Sequence, residues 1–109
     1  MMRPVYIVGA ASSAFGRHDE LSIQDLAASA GESAISDAGV DREEIGALYL
    51  GNFVGGQLTG QEVLAGLVGD RLRLANVPCT KVEGACASGG IAFRHAQMAV
   101  AAGLCEVAI

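Results

Sequence analysis

The sequence predicts an α/β domain with the element order β-α-β-α-β-α-β and a largely parallel sheet. Two observations carry that expectation. Short β-rich runs alternate with stretches whose apolar residues recur at helical spacing, and such alternation implies crossover connections and parallel neighbours. The chain has 109 residues, 51% hydrophobic and 17% charged, which suits one small domain and is too apolar for a disordered segment. Fifteen glycines against 5% aromatics point to tightly approaching layers with few bulky anchors.

Each element has its own signal. Val5-Tyr6-Ile7-Val8 is β-rich and ends at Gly9, so a first strand is expected there, followed by a polar loop over 10–21. Ile23, Leu26, Ala27, Ala30, Ala34, Ile35 and Ala38 fall on one face of a 3.6-residue period. Ser22 is a suitable N-cap, Asp25 suits the positive helix end, and Gly39 is a natural stop. Asp41-Arg42-Glu43-Glu44 reads as a solvated turn and Leu48-Tyr49-Leu50 as the second strand. Asn52 to Gly60 is glycine-rich and reads as a loop, and Gln61 to Leu72 as a helix weakened by Gly66 and Gly69. Pro78-Cys79-Thr80-Lys81-Val82 is the third strand, with proline at its start, where a missing donor is tolerated. Ala85 to Ala102, closed by Gly103, is the third helix. It is alanine-rich and apolar on most sides, so a buried central position is expected. Val107-Ala108-Ile109 opens a fourth strand, and a sequence that stops in mid-strand reads as a fragment.

Composition removes several function classes. A net charge of −5 speaks against a nucleic-acid footprint or a polybasic membrane patch. No run of 18 apolar residues exists for a membrane span, and the N-terminus does not read as a secretory signal. Three cysteines without metal-type spacing fit a reduced, cytoplasmic protein with no metal site. Gly9 to Gly16 lacks the Gly-x-Gly-x-x-Gly spacing of a dinucleotide site, and no glycine loop leads into Lys-Ser/Thr.

The informative segment is Val82-Glu83-Gly84-Ala85-Cys86-Ala87-Ser88-Gly89-Gly90. It places a cysteine where a strand turns into a helix. Unpaired N–H groups at such a terminus favour thiolate over thiol and can hold a developing oxyanion on an acyl group bound to the sulfur. Gly84, Gly89 and Gly90 permit a tight turn and close approach. The bland alternative, a small buried cysteine of packing value only, suits Cys79 and Cys105 better, since both lack these flanks. Gly84-x-Cys86-x-Ser88 is only faintly similar to the nucleophile elbow of hydrolases, and Ser88 in place of the second glycine counts against that reading. No base is in evidence. His95 lies nine residues on, roughly opposite Cys86 and ~13 Å further along the axis, and nothing in the sequence places His18 near the thiol.

The cysteine box Cys86-Ala87-Ser88-Gly89-Gly90 resembles the N-terminal active-site motif of the thiolase family. Ile7 to Arg17, with its Phe15-Gly16-Arg17 loop, is similar to the family's opening. Asp37-Ala38-Gly39-Val40-Asp41 and Ile45-x-x-Leu48-Tyr49-x-Gly51-Asn52 are similar to the stretch leading into the second strand. The resemblance covers nearly the whole chain but only the first part of a family member, so residues 1–109 are expected to be the N-terminal part of a thiolase-like domain, without a linker. Glu83-Gly84-Ala85 before the cysteine, and Glu62-Val63-Leu64-Ala65 after Gly60-Gln61, look more like the archaeal and sterol-carrier-type branch.

The resemblance implies acyl transfer between coenzyme A, as substrate or product, and a cysteine corresponding to Cys86, in thiolytic cleavage or Claisen condensation. No tightly bound cofactor is implied. It further implies that the N–H of Cys86 forms part of an oxyanion hole. The strand around Cys79–Val82 is expected to pair with its mate in a homodimer or dimer of dimers. The activating His and second Cys belong to the family's C-terminal half and have no counterpart here. Two other readings stand beside this one: a related condensing enzyme of the ketoacyl synthase or hydroxymethylglutaryl-CoA synthase type, and a non-catalytic thiolase-like subunit acting by association.

Overall fold

The computed structural model describes residues 2–109. Its first regular element is helix α1 (Ile23–Ala38), which begins and ends where its caps dictate. The Ser22 hydroxyl accepts the Asp25 N–H at 3.1 Å, and Gly39 closes the helix in the left-handed region at φ 67°, which glycine enters without steric cost. A 3₁₀ turn (Arg42–Glu44) follows, where a solvated turn is expected. It is tied by the Asp41 N–H donating to the Glu44 carboxylate at 2.7 Å. Arg42 pairs with Glu32 of α1 and donates to the Leu72 carbonyl at 2.9 Å.

Strand β1 (Ile45–Gly51) is the centre of a three-stranded parallel sheet. Its neighbours are β2 (Cys79–Val82), aligned Leu48 to Cys79 through Gly51 to Val82, and β3 (Val107–Ala108), aligned Ile45 to Val107 and Ala47 to Ala108. The β1–β3 register shifts between Ile45 and Ala47. Beyond that irregularity the side chains alternate. Leu48 and Leu50 join the main apolar core with Ala28 and Ile35 of α1 and Leu64, Ala65 and Val68 of helix α3 (Leu64–Arg71). Tyr49 turns the other way, its ring 5.9 Å from that of His95 on helix α4 (Ser88–Ala101). The sheet thus lies between α4 on one face and α3 on the other, with α1 packed on α3.

The α/β class and the parallel sheet agree with the sequence, and three expectations are corrected. First, Val5–Val8 forms no strand. β1 is occupied on both sides, and this run pairs with neither edge strand. It crosses the helices instead. The Arg3 N–H donates to the Ala101 carbonyl at 2.8 Å and the Ala10 N–H to the Asp37 carboxylate at 3.0 Å. Tyr6 and Ile7 stay exposed. Second, the loop expected over Asn52–Gly60 contains a short helix, α2 (Gly55–Thr59). The Asn52 side chain accepts the Gly55 N–H at 2.8 Å and the Thr59 hydroxyl donates to the Gly55 carbonyl at 2.6 Å.

Third, α3 and α4 start three residues later than the periodicity predicts. Gln61 folds back to accept the Val63 N–H at 3.1 Å. Ala85 sits at φ 51°, outside any right-handed helix. Within this chain α4 is buried on one face only. Ala92, Ala99 and Ala101 are buried, whereas Phe93 is 59% exposed and Gly89, Gly90 and Gln97 also face outward. Among the described residues nothing covers that outer face, so its apolar character is met by packing on one side only. Among the same residues, no helix is long and apolar enough to cross a membrane.

Candidate active site

Cys86 lies on the turn between β2 and α4, and it is exposed. The turn is built by its neighbours. Ala85 takes the left-handed conformation, which a residue with a Cβ adopts only when its surroundings hold it there. The Glu83 carboxylate accepts the Ala85 N–H at 2.5 Å. The Ser88 hydroxyl accepts the Gly84 N–H at 3.0 Å and donates to the Ala85 carbonyl at 2.7 Å. Backbone bonds close the turn: Ala87 N–H to the Gly84 carbonyl at 3.0 Å and Ser88 N–H to the Ala85 carbonyl at 3.2 Å. Among the described residues, the Cys86 N–H donates to no backbone carbonyl.

The end of β1 backs this turn. A Cβ placed on Gly51 would stand 2.3 Å from the Ser88 carbonyl oxygen, so only a glycine lets the strand approach the first turn of α4 this closely. On the outer side, a Cβ at Gly89 or Gly90 would meet nothing within 4 Å. The face beside the cysteine is therefore open.

The other candidates sit elsewhere. The His95 ring stacks toward Tyr49, and the His18 Nε2 is 2.7 Å from the Ala14 carbonyl. Neither is brought to Cys86 by these contacts. Cys79 and Cys105 are half-buried, and burial pushes both thiols up. Cys79 packs against the main apolar core. Among the described residues no three His, Cys, Asp or Glu side chains are grouped to hold a metal ion. A cavity of about 1190 Å³ lies between the N-terminal segment and the sheet, lined by residues such as Val8, Ile35, Tyr49, Phe93 and Ile109. It is apolar, and Cys86 is not among its lining residues.

Sequence reasoning missed three parts of the site. Alanine gives no hint of a left-handed φ. Glu83 reads as an ordinary exposed carboxylate. Ser88 counts in sequence as a departure from the hydrolase elbow, yet it is the residue that ties the turn. The usable signal was a serine one turn after a glycine, a spacing at which a hydroxyl can bond back to the preceding backbone.

A parallel α/β sheet that presents an open cysteine on a strand-to-helix turn defines a class of domain in which one thiol is held out by the backbone. Within that class the chain belongs to the thiolase family, whose N-terminal domain it matches over residues 5–109. It is 41% identical over 108 residues to an acetyl-CoA acetyltransferase of Methanothermobacter thermautotrophicus, covering 99% of this chain and 28% of that protein. It is 40% identical to the acetyl-CoA acetyltransferase of Methanocaldococcus jannaschii, with the same coverage. It is 30% identical to sterol carrier protein 2 of Gallus gallus, over 97% of this chain and 19% of that protein. The chain therefore spans little more than a quarter of the length of the acetyltransferases it matches.

Proposed function

We propose that this chain is the nucleophile-bearing part of a thiolase-type acyltransferase that moves an acetyl or acyl group between coenzyme A and Cys86. The observation that carries the reading is the open Cys86 on its tied turn, in a chain that matches the thiolase N-terminal domain. Thiolate sulfur attacks the thioester carbonyl of an acyl-CoA. The carbonyl oxygen takes negative charge, and the Cys86 N–H, which donates to no backbone carbonyl, is read as part of its oxyanion hole. Collapse breaks the carbon–sulfur bond to coenzyme A, which leaves as a thiol, and the acyl group stays on Cys86. The proton removed from Cys86 is returned to the departing CoA sulfur, which balances the step. In condensation, the α-carbanion of a second acyl-CoA attacks the acyl-enzyme carbonyl, a carbon–carbon bond forms, and the acyl–sulfur bond breaks to release the Cys86 thiolate. In cleavage, the Cys86 thiolate instead attacks the 3-keto carbonyl of a 3-ketoacyl-CoA. The C2–C3 bond breaks and acetyl-CoA leaves as a carbanion that takes up a proton. A free CoA thiolate then accepts the acyl group and releases the Cys86 thiolate.

The test is acylation in the whole protein. Incubation with acetyl-CoA is expected to add one acetyl group, located on the Cys86 peptide by mass spectrometry, and Cys86→Ala is expected to abolish both the adduct and turnover. An undiminished rate in Cys86→Ala would overturn the assignment.

A second part of the reading concerns assembly. β2 is an edge strand, and the family resemblance implies pairing through it. We propose that a second copy of the protein pairs along Cys79–Val82 in a homodimer or dimer of dimers.

A further inference from the structure

We propose that Ser88 is the positioning residue for the Cys86 nucleophile, with Glu83 as a second tie. Its buried hydroxyl locks the left-handed turn at Ala85 and so fixes where the sulfur and the free N–H stand. The proposal rests on the reading of Cys86 as the acyl-accepting thiol.

Ser88 is 5% exposed and is the buried polar side chain among the described residues. A hydroxyl so placed needs partners, and both of its bonds go to the two residues immediately before the cysteine. This is not ordinary capping. A capping serine precedes the helix, and its oxygen accepts N–H groups further along. Ser88 is instead the first residue of α4 and reaches backward, accepting from residue 84 and donating to residue 85. The bond donated to the i−3 carbonyl alone would be a common helix feature. The additional bond from Gly84 turns it into a clamp across the turn. A clamp is needed because Ala85 at φ 51° is intrinsically disfavoured and would relax without one. Glu83 holds the Ala85 N–H from the other side. Gly51 brings β1 against the Ser88 carbonyl, so the base of the turn has no room to shift that way.

The reaction gives this rigidity a purpose. Attack on a thioester requires the sulfur and the oxyanion donor to hold a fixed mutual geometry, and a misplacement of about 1 Å can cost on the order of 10²-fold in rate. Cys86 supplies both groups from one residue, so the backbone conformation at 85–86 sets their relation.

The experiment measures acyl-Cys86 formation in the whole protein by rapid quench with acetyl-CoA, followed by peptide mass, as a function of acetyl-CoA concentration. Ser88→Ala is expected to lower the maximal acylation rate about tenfold or more, leaving the half-saturating acetyl-CoA concentration within about threefold. Ser88→Thr, which keeps a donor and an acceptor, is expected to recover most of the loss. The proposal is overturned if Ser88→Ala acylates at the parent rate, if the loss lies wholly in the half-saturating concentration, or if threonine is no better than alanine. Should Ser88→Ala fail to fold, Glu83→Ala at its exposed position decides. A slowed maximal rate with unchanged half-saturation supports the tied turn, and a parent-like rate overturns it. A parent protein that forms no acyl-Cys86 overturns the proposed function itself, whereas a parent that does so alongside an equally fast Ser88→Ala overturns the positioning role alone.

Discussion

Cys79, Cys86 and Cys105 carry the same thiol in three settings. Burial pushes Cys79 up from the ordinary value of 9.0. Burial also raises Cys105; the Glu106 charge adds to it and Arg3 partly opposes it. Below pH 9 these two thiols hold less thiolate than free cysteine, and both are partly screened from reagent, while Cys86 is exposed. Limited iodoacetamide treatment of the native protein at pH 8 is therefore expected to label the Cys86 peptide first, with Cys79 and Cys105 lagging; equal labelling of Cys105 and Cys86 would contradict this. The sign of the stability effect follows from proton counting. Above pH 9 the folded chain holds protons on Cys79 and Cys105 that the unfolded chain has released. Folding stability contributed by these thiols is thus intact below about 9 and falls as pH rises through their folded values. Denaturation midpoints measured at pH 8 and pH 10 give the direction. At this scale Cys86 was legible because glycines flank it, while the φ of Ala85 was not, because alanine prefers the right-handed region and only Ser88 and Glu83 hold it elsewhere.

Among the elements, α1 was the most legible and 5–8 the least, and the contrast has a physical cause. Helix α1 is specified locally. Its apolar stripe, the Ser22 cap and the Gly39 stop lie within its own sequence. A strand is specified by its neighbour, and Val5–Val8 has β propensity but pairs with none of the described strands. Likewise α2 was hidden behind its glycines, because its closure depends on the side chains of Asn52 and Thr59 rather than on periodicity. Local specification gives a local prediction. Ser22→Ala removes the acceptor for the Asp25 N–H and is expected to destabilise the protein by about 1 kcal/mol, while Ser22→Asp retains most of the stability. Urea unfolding of the two variants reads the difference. An alanine variant as stable as the parent would mean that tertiary packing, not the cap, fixes where α1 begins.

At the scale of the whole molecule, the open question is what meets the sheet edge at β2, and the backbone register makes it testable. The Leu48 N–H donates to the Pro78 carbonyl at 3.0 Å and the Asn52 N–H to the Val82 carbonyl at 3.1 Å. In a parallel ladder the bonding groups of one strand alternate in direction from residue to residue. Residues 78, 80 and 82 therefore face β1, while Cys79 and Lys81 turn their backbone groups to the outer edge. An unpaired edge is a template for another strand. Lys81→Pro deletes one outward N–H without touching the ladder to β1, and it also loses the Lys81–Glu62 ion pair at 3.1 Å. That pair is exposed on the Glu62 side and is worth at most about 1 kcal/mol. Lys81→Ala is the control, since it loses the pair and keeps the N–H. If copies of the protein join through β2, sedimentation velocity is expected to show Lys81→Pro shifted toward monomer and Lys81→Ala assembled like the parent. If both variants remain assembled, the interface lies on another surface. If both dissociate, the lysine side chain rather than the strand edge holds the copies together.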